Sequence, residues 1–187
     1  MRRPVLIVMV KEPCAGRVKT RLGRDIGMTN AAWWYRHQTR RTLRNLRDPR
    51  WQIVLSVSPD TAKNSRHWPG DLPRFPQGGG DLGQRMRRAL MATPGPSLLI
   101  GSDIPGITRA QIARTFVALG TAETVIGPAK DGGFWLVGLK HPGRAPGTLF
   151  EGTRWSHPET LADTLPSLPQ PVATTDTLSD VDTAQDL

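Results

Sequence analysis

The feature that most limits this fold is six consecutive apolar residues, Val5-Leu6-Ile7-Val8-Met9-Val10, followed at once by the loop KEPCAGRVKTRLG, residues 11–23. An apolar run without polar alternation, rich in β-branched residues, reads as a strand buried on both faces. That is the situation inside a parallel sheet covered by helices. The run is far shorter than the ~18 residues of a membrane span. It is also shorter than the roughly 7–15 apolar residues of a signal-peptide core. The chain is therefore expected to be cytoplasmic, with no membrane association. A lone Cys14 excludes an intrachain disulfide and fits a reducing compartment.

The rest of the 187 residues repeats the opening theme. Strands are expected at 51–57, 97–100, 124–126 and 134–139, with short ones near Arg74-Phe75 and Val172–Thr174. Helices are expected after a Thr29 or Asn30 cap, after Asp81, from Thr108 to Leu119, and at Pro158–Leu165. Strands alternating with helices define an α/β fold with a mostly parallel sheet, here as a single domain over 1–187. Ligands of such sheets sit at the carboxyl ends of the strands. Those ends hold the unusual residues of this chain: KEPCAGRVKTR, SPD, GSDIP and AKDGG. The long loops at 61–80 and 140–171 are expected to cover a site.

Charge is unevenly spread. The net charge is +9, yet residues 1–50 carry thirteen Lys and Arg against three acids, while 151–187 carry Arg154 alone against seven acids. This pattern suggests an anion held near the first half. The Lys19-Thr20 pair is not a P-loop, because the positions that need glycine hold Pro13 and Val18. Gly78-Gly79-Gly80-Asp81-Leu82-Gly83 matches a dinucleotide fingerprint but does not directly follow a strand. Its glycines would still let backbone approach a ligand closely. Lys11, Arg17, Lys19 and Arg21 could be a solvated patch. Their place after a buried strand, beside Gly16, favours phosphate binding instead. Asp103 ends a strand and could ligate Mg2+ or merely cap a turn. Asp131-Gly132-Gly133 is either a plain hairpin turn or part of a pocket. Asp180, Asp182 and Asp186 sit in an acidic terminus that could simply cap a last helix. The four histidines lack metal-ligand spacing.

Six stretches then occur in order: KEPCAGRVKTRL, QGGGDLGQRM, GSDIPGI, GPAKDGGFWLVGL, WSHPETL and LSDVDTAQDL. Together they resemble the small GT-A-fold nucleotide-diphospho-sugar transferases, also called selenodomain-associated transferase 1 or cofactor-C-like glycosyltransferases. More distantly they are similar to 2-phospholactate guanylyltransferases and molybdenum-cofactor nucleotidyltransferases. The resemblance implies a three-layer α/β/α Rossmann-like fold with a mixed, mostly parallel sheet. It implies that Lys19 and Arg21 hold a nucleotide's phosphates, supported by Lys11, Gly16 and Arg17, with Gly79, Gly80 and Asp81 near the base or ribose. It further implies a Mg2+ or Mn2+ cofactor on Asp103 and Asp182. The acceptor pocket would be lined by Asp131, Gly132, Gly133 and Trp155. One departure is visible: typical GT-A glycosyltransferases carry Asp-x-Asp at the metal position, whereas Asp103 stands alone, as in nucleotidyltransferases.

The expected function is a metal-dependent transferase that binds a nucleotide diphosphate sugar, with Lys19 and Asp131 as catalytic residues and a small-molecule acceptor. One alternative is nucleotidyl transfer from an NTP with pyrophosphate leaving. Another is a basic nucleic-acid-binding protein, suggested by the Arg-rich segment 36–50. That segment lacks interleaved aromatics or a recognised module.

Overall fold

The computed structural model describes residues 3–186. Its seven strands are β1 (Val5–Lys11), β2 (Gln52–Ser58), β3 (Arg74–Pro76), β4 (Ser97–Gly101), β5 (Thr124–Pro128), β6 (Phe134–Leu139) and β7 (Val172–Thr174). They form one sheet in the order β3-β2-β1-β4-β6-β5-β7. β6 runs antiparallel to both β4 and β5, and every other pairing is parallel. The helices are α1 (Thr20–Ile26), α2 (Met28–Asn45), α3 (Leu82–Met91), α4 (Arg109–Ala118) and α5 (Thr160–Thr164). Among the described residues no helix is long and apolar enough to cross a membrane.

Strand alternation sorts the core into two layers. Leu6, Val8 and Val10 face one side, where they meet Leu43 of α2 and Ile112 of α4. Val5 and Ile7 face the other, against Met86 and Leu90 of α3 and Phe150 of the long loop that follows β6. Both faces are covered, so Leu6, Ile7 and Val8 are all fully buried. This is the three-layer α/β/α arrangement expected from the apolar run.

Two local expectations are corrected. Residues 20–23 are not loop: α1 begins at Thr20, and Lys19 caps it in the left-handed conformation at φ 46°, ψ 48°. α2 begins at Met28, so neither Thr29 nor Asn30 is its cap. Instead Gly27 reverses the chain at φ 90°, and the Asn30 side chain donates 2.8 Å back to the Ile26 carbonyl, serving the end of α1. α3 and α4 start as expected, each with a reciprocal capping box, Asp81 with Gln84 and Thr108 with Gln111.

The strand order fixes where a ligand can lie. After β1 the chain builds outward through β2 and β3, then returns to place β4 on the other side of β1. The crevice at the carboxyl ends of β1 and β4 is therefore the topological switch point, where open α/β sheets take their ligands.

Candidate functional site

That crevice is a cleft with two adjoining lobes. The larger, of about 780 Å3, runs over the ends of β1 and β4 and takes in Lys11, Lys19, Arg21, Gly80, Asp81 and Arg85. The smaller, of about 420 Å3, is lined by Asp131, Gly133, Phe134, Trp155, His157 and Pro158, among others. Arg21, Asp103, Asp180 and Asp182 line both lobes and mark their junction.

The junction is organised by one buried ammonium. Lys19 Nζ lies 2.7 Å from Asp103 Oδ2, 2.9 Å from Asp182 Oδ1 and 3.4 Å from Asp180 Oδ2. Its side chain is only 7% exposed. The Arg21 guanidinium donates 3.0 Å to the other oxygen of Asp182. A left-handed lysine is strained by ~1–2 kcal/mol, and such strain persists where surrounding contacts over-determine it. Burial alone would lower the Lys19 pKa, but the charge of Asp103 and hydrogen bonds to Asp103 and Asp182 outweigh it, so the amine stays protonated. Asp180 is pushed above the usual carboxylate range, by burial first and then by the charges of Asp182, Asp103 and Asp131, which together exceed the pull of Lys19. Burial would also raise Asp182, but the hydrogen bond and charge of Lys19 and the charge of Arg21 hold it low.

The rest of the cleft is fixed by packing. The Tyr35 hydroxyl, on α2, accepts the Lys11 N–H at 2.9 Å and shares a hydrogen bond with Ser102 Oγ at 2.8 Å. It thus stitches the end of β1 to the end of β4. Gln77 is buried and donates to the Val10 and Ser56 carbonyls, closing the floor. Asp131 Oδ1 accepts the Gly133 N–H at 3.0 Å. Gly132 sits at φ +88°, and a Cβ there would fall 1.8 Å from the Pro158 carbonyl oxygen. Its own carbonyl accepts the Leu161 N–H at 2.9 Å, which pins the long loop over the smaller lobe. Trp155 meets Phe134 edge-on with centroids 6.3 Å apart.

Most of the residues expected at a site line this cleft. Lys11, Lys19, Arg21, Gly80, Asp81, Asp103, Asp131, Gly133, Trp155 and Asp182 come together on one cleft. Gly16, Arg17, Gly79 and Gly132 lie outside the lining of both lobes; Gly16 and Arg17 are exposed, and Gly79 offers its carbonyl to Arg88. Loop 140–171 covers the cleft through residues 155–160 as expected, while 61–80 contributes only its end, Gln77 and Gly80. Asp180, Tyr35 and Arg85 were not foreseen as site residues. For Asp180 a signal existed: Asp180-Val181-Asp182 alternates, and with Val181 buried the two carboxylates face one side.

Could these residues hold a divalent cation? Among the described residues no group of three His, Cys, Asp or Glu side chains stands at metal-ligand spacing. Yet the Asp103 and Asp182 carboxylates converge on one point, and a cation, the Lys19 ammonium, occupies it. Mg2+ needs one or two carboxylates plus substrate oxygens at about 2.0–2.1 Å. The donor chemistry fits, at hydrogen-bonding rather than coordination distances.

Fold and cleft together define a nucleotide-diphospho-sugar-transferase fold. A protein from Desulfovibrio desulfuricans G20, described as a proposed nucleotide-diphospho-sugar transferase, superposes with a TM-score of 0.86 at 29% identity, over 100% of this chain and 85% of its own. Two solved structures share the fold at lower identity. The Rv0371c protein of Mycobacterium tuberculosis H37Rv, in complex with manganese, has a TM-score of 0.57 at 16% identity, over 99% of this chain and 96% of its own. The 2-C-methyl-D-erythritol 4-phosphate cytidylyltransferase of Thermus thermophilus has a TM-score of 0.52 at 18% identity, over 100% of this chain and 95% of its own. No curated protein matches the chain in sequence. The chain belongs to the family described as uncharacterized protein conserved in bacteria (DUF2064), whose model matches residues 42–157. The resemblance carried by the six motifs and the fold it implied are thereby borne out.

Proposed function

We propose that the protein is a metal-dependent transferase that binds a nucleotide diphosphate sugar in the larger lobe and passes the sugar to a small-molecule acceptor in the smaller one. The observation that carries this reading is the division of charge at a two-lobed switch-point cleft. Lys11, Lys19, Arg85 and Asp81 line only the larger lobe, whereas Asp131 and Trp155 line only the smaller, Phe134 borders both, and Asp103, Asp180 and Asp182 stand between.

In this reading Lys19, Arg21 and Lys11 neutralise the diphosphate as negative charge grows on its leaving oxygen. Pre-placed charges in a partly desolvated cleft do this without reorganising at the moment of reaction. Gly80 and Asp81 lie where the nucleoside end would rest. The acceptor hydroxyl attacks the anomeric carbon, the carbon–oxygen bond to the phosphate breaks, and Asp131 takes the hydroxyl proton. Phe134 and Trp155 give the acceptor an apolar face to lie on. Among the described residues Arg21 is the sole Lys or Arg lining that lobe and is already engaged by Asp182, which favours an acceptor without strong negative charge. Asp103 and Asp182 would hold Mg2+ or Mn2+, which when bound supplies further neutralisation of the diphosphate.

A second reading, nucleotidyl transfer from an NTP, is favoured by one feature: Asp103 lies between Gly101 and Pro105, so the strand end offers a single carboxylate. In that case the acceptor attacks the α-phosphorus and pyrophosphate leaves. A thermal-shift panel of nucleotides and nucleotide sugars with Mg2+ or Mn2+ should reveal a donor, since a ligand at about 100 times its dissociation constant adds about 2.7 kcal/mol. Product analysis then separates the chemistries: release of nucleoside diphosphate supports glycosyl transfer, and release of pyrophosphate supports the second reading. Asp103→Asn should abolish the metal-dependent part of the thermal shift. An undiminished shift would sink the metal assignment.

A further inference from the structure

The cation that Asp103 and Asp182 hold is part of the chain itself. From this, and resting on the reading just given, we propose that Lys19 is a positioning residue that makes metal binding conditional on the nucleotide: its ammonium fills the divalent-cation position until a diphosphate arrives to take it away.

Three observations support this. First, Lys19 Nζ sits where the carboxylate oxygens converge, at 2.7 Å from Asp103 and 2.9 Å from Asp182, with Asp180 at 3.4 Å. A metal bound by the same oxygens would lie within a few ångströms of that nitrogen, and two cations cannot share the point. Second, the ammonium is almost fully shielded, so water offers it no ready alternative. A metal arriving alone would have to expel a buried charge without a partner to receive it, which is costly. A metal arriving with a diphosphate brings that partner, because the larger lobe lies directly beside Lys19. Third, the lysine stem is flexible, and its ammonium binds phosphate as a point charge from several directions. Only its head has to turn, while the left-handed backbone and α1 stay in place. The carboxylates stay paired in both states, with Lys19 before the nucleotide and the metal after it. The site is thus kept from charging with metal in the absence of donor.

The test is Mn2+ binding to the ligand-free protein, followed by electron paramagnetic resonance and by calorimetry. Wild type should bind Mn2+ weakly. Lys19→Met and Lys19→Gln remove the internal cation and should tighten Mn2+ binding on the order of tenfold or more, the usual scale of coupling between two sites. Asp103→Asn placed on top of Lys19→Met should abolish the gain, locating it at the junction. Unchanged or weaker Mn2+ binding in both Lys19 variants would overturn the proposal. Mn2+ binding to ligand-free wild type as tight as to the variants would do so as well, and needs no variant to fold. Either result leaves the transferase reading standing if the nucleotide panel still gives a shift. A flat nucleotide panel together with tightened Mn2+ binding in the variants would instead uphold the competition and remove the nucleotide.

Discussion

Tyr35→Phe tests whether the switch-point crevice is held together as described. The substitution keeps the ring, which is only 4% exposed, and deletes one oxygen. That oxygen accepts the Lys11 N–H at 2.9 Å and meets Ser102 Oγ at 2.8 Å. Ser102 is itself 2% exposed, so its hydroxyl is left stranded. Stranding a buried polar group costs about 1–3 kcal/mol, and the second lost hydrogen bond adds about 0.5–1 kcal/mol. These add to about 1.5–4 kcal/mol, with a central expectation of about 2–3 kcal/mol. For a chain of this size that lowers Tm by roughly 4–12 °C, at about 2–4 °C per kcal/mol. In urea the midpoint should fall by about 1 M with an unchanged slope, for a slope of ~2–3 kcal/mol/M. The same variant should weaken the donor's thermal shift, because Lys11 and Ser102, at the ends of β1 and β4, are no longer tied through one hydroxyl. A loss below ~0.5 kcal/mol, a surface-like value, would refute the reasoning and mean that water serves both partners.

Two further perturbations address the covering loop. Gly132→Ala would place a Cβ 1.8 Å from the Pro158 oxygen on a backbone at φ +88°. The left-handed strain of ~1–2 kcal/mol and loss of the Gly132–Leu161 hydrogen bond, worth about 1 kcal/mol, predict a destabilisation of about 2–3 kcal/mol by urea denaturation. Because the clash lies outside the larger lobe, the nucleotide shift should survive; its disappearance would mean the lobes are not separable. Asp163 is held at about 2, first by its hydrogen bond with Arg154. A folded-state value below the unfolded one contributes stability that is present above the usual value of 3.8 and lost as pH falls through about 2. Asp163→Asn should therefore flatten the decline of the urea midpoint between pH 4 and pH 2. An equally steep decline in the variant would assign it to other carboxylates.

The legible parts of the fold were those whose signal is local. β1 announces itself by six apolar residues in a row, and its burial on both faces implies the helical layers. Asp81 and Thr108 cap their helices with a partner three residues on, so both helix starts could be read directly. α1 was hidden because its cap is not a capping residue. Lys19 adopts the left-handed conformation while its ammonium is held by Asp103, Asp180 and Asp182, the last two 161 and 163 positions away. No window along the sequence contains those contacts. Asn30 misled for a related reason: it is a good cap, but it serves the end of α1, which the sequence had not revealed.

The charge asymmetry of the sequence takes a different form in the folded chain. A basic first quarter suggested a bare cationic cradle for an anion. In the folded chain the acidic terminus returns to that cradle. The larger lobe is lined by Lys11, Lys19, Arg21 and Arg85, and equally by Asp81, Asp103, Asp180 and Asp182. Four positive and four negative side chains leave the lobe without the net positive charge that would attract a diphosphate. Such a site binds a doubly or triply charged anion well only if a further cation comes with it, or if carboxylates are released from the cations they hold. The pairing of Lys19 with Asp103 and Asp182 therefore argues for metal and nucleotide arriving together, on grounds independent of any relative. The alternation of Asp180, Val181 and Asp182 is what makes this balance possible, since the buried valine turns both carboxylates toward the same ammonium.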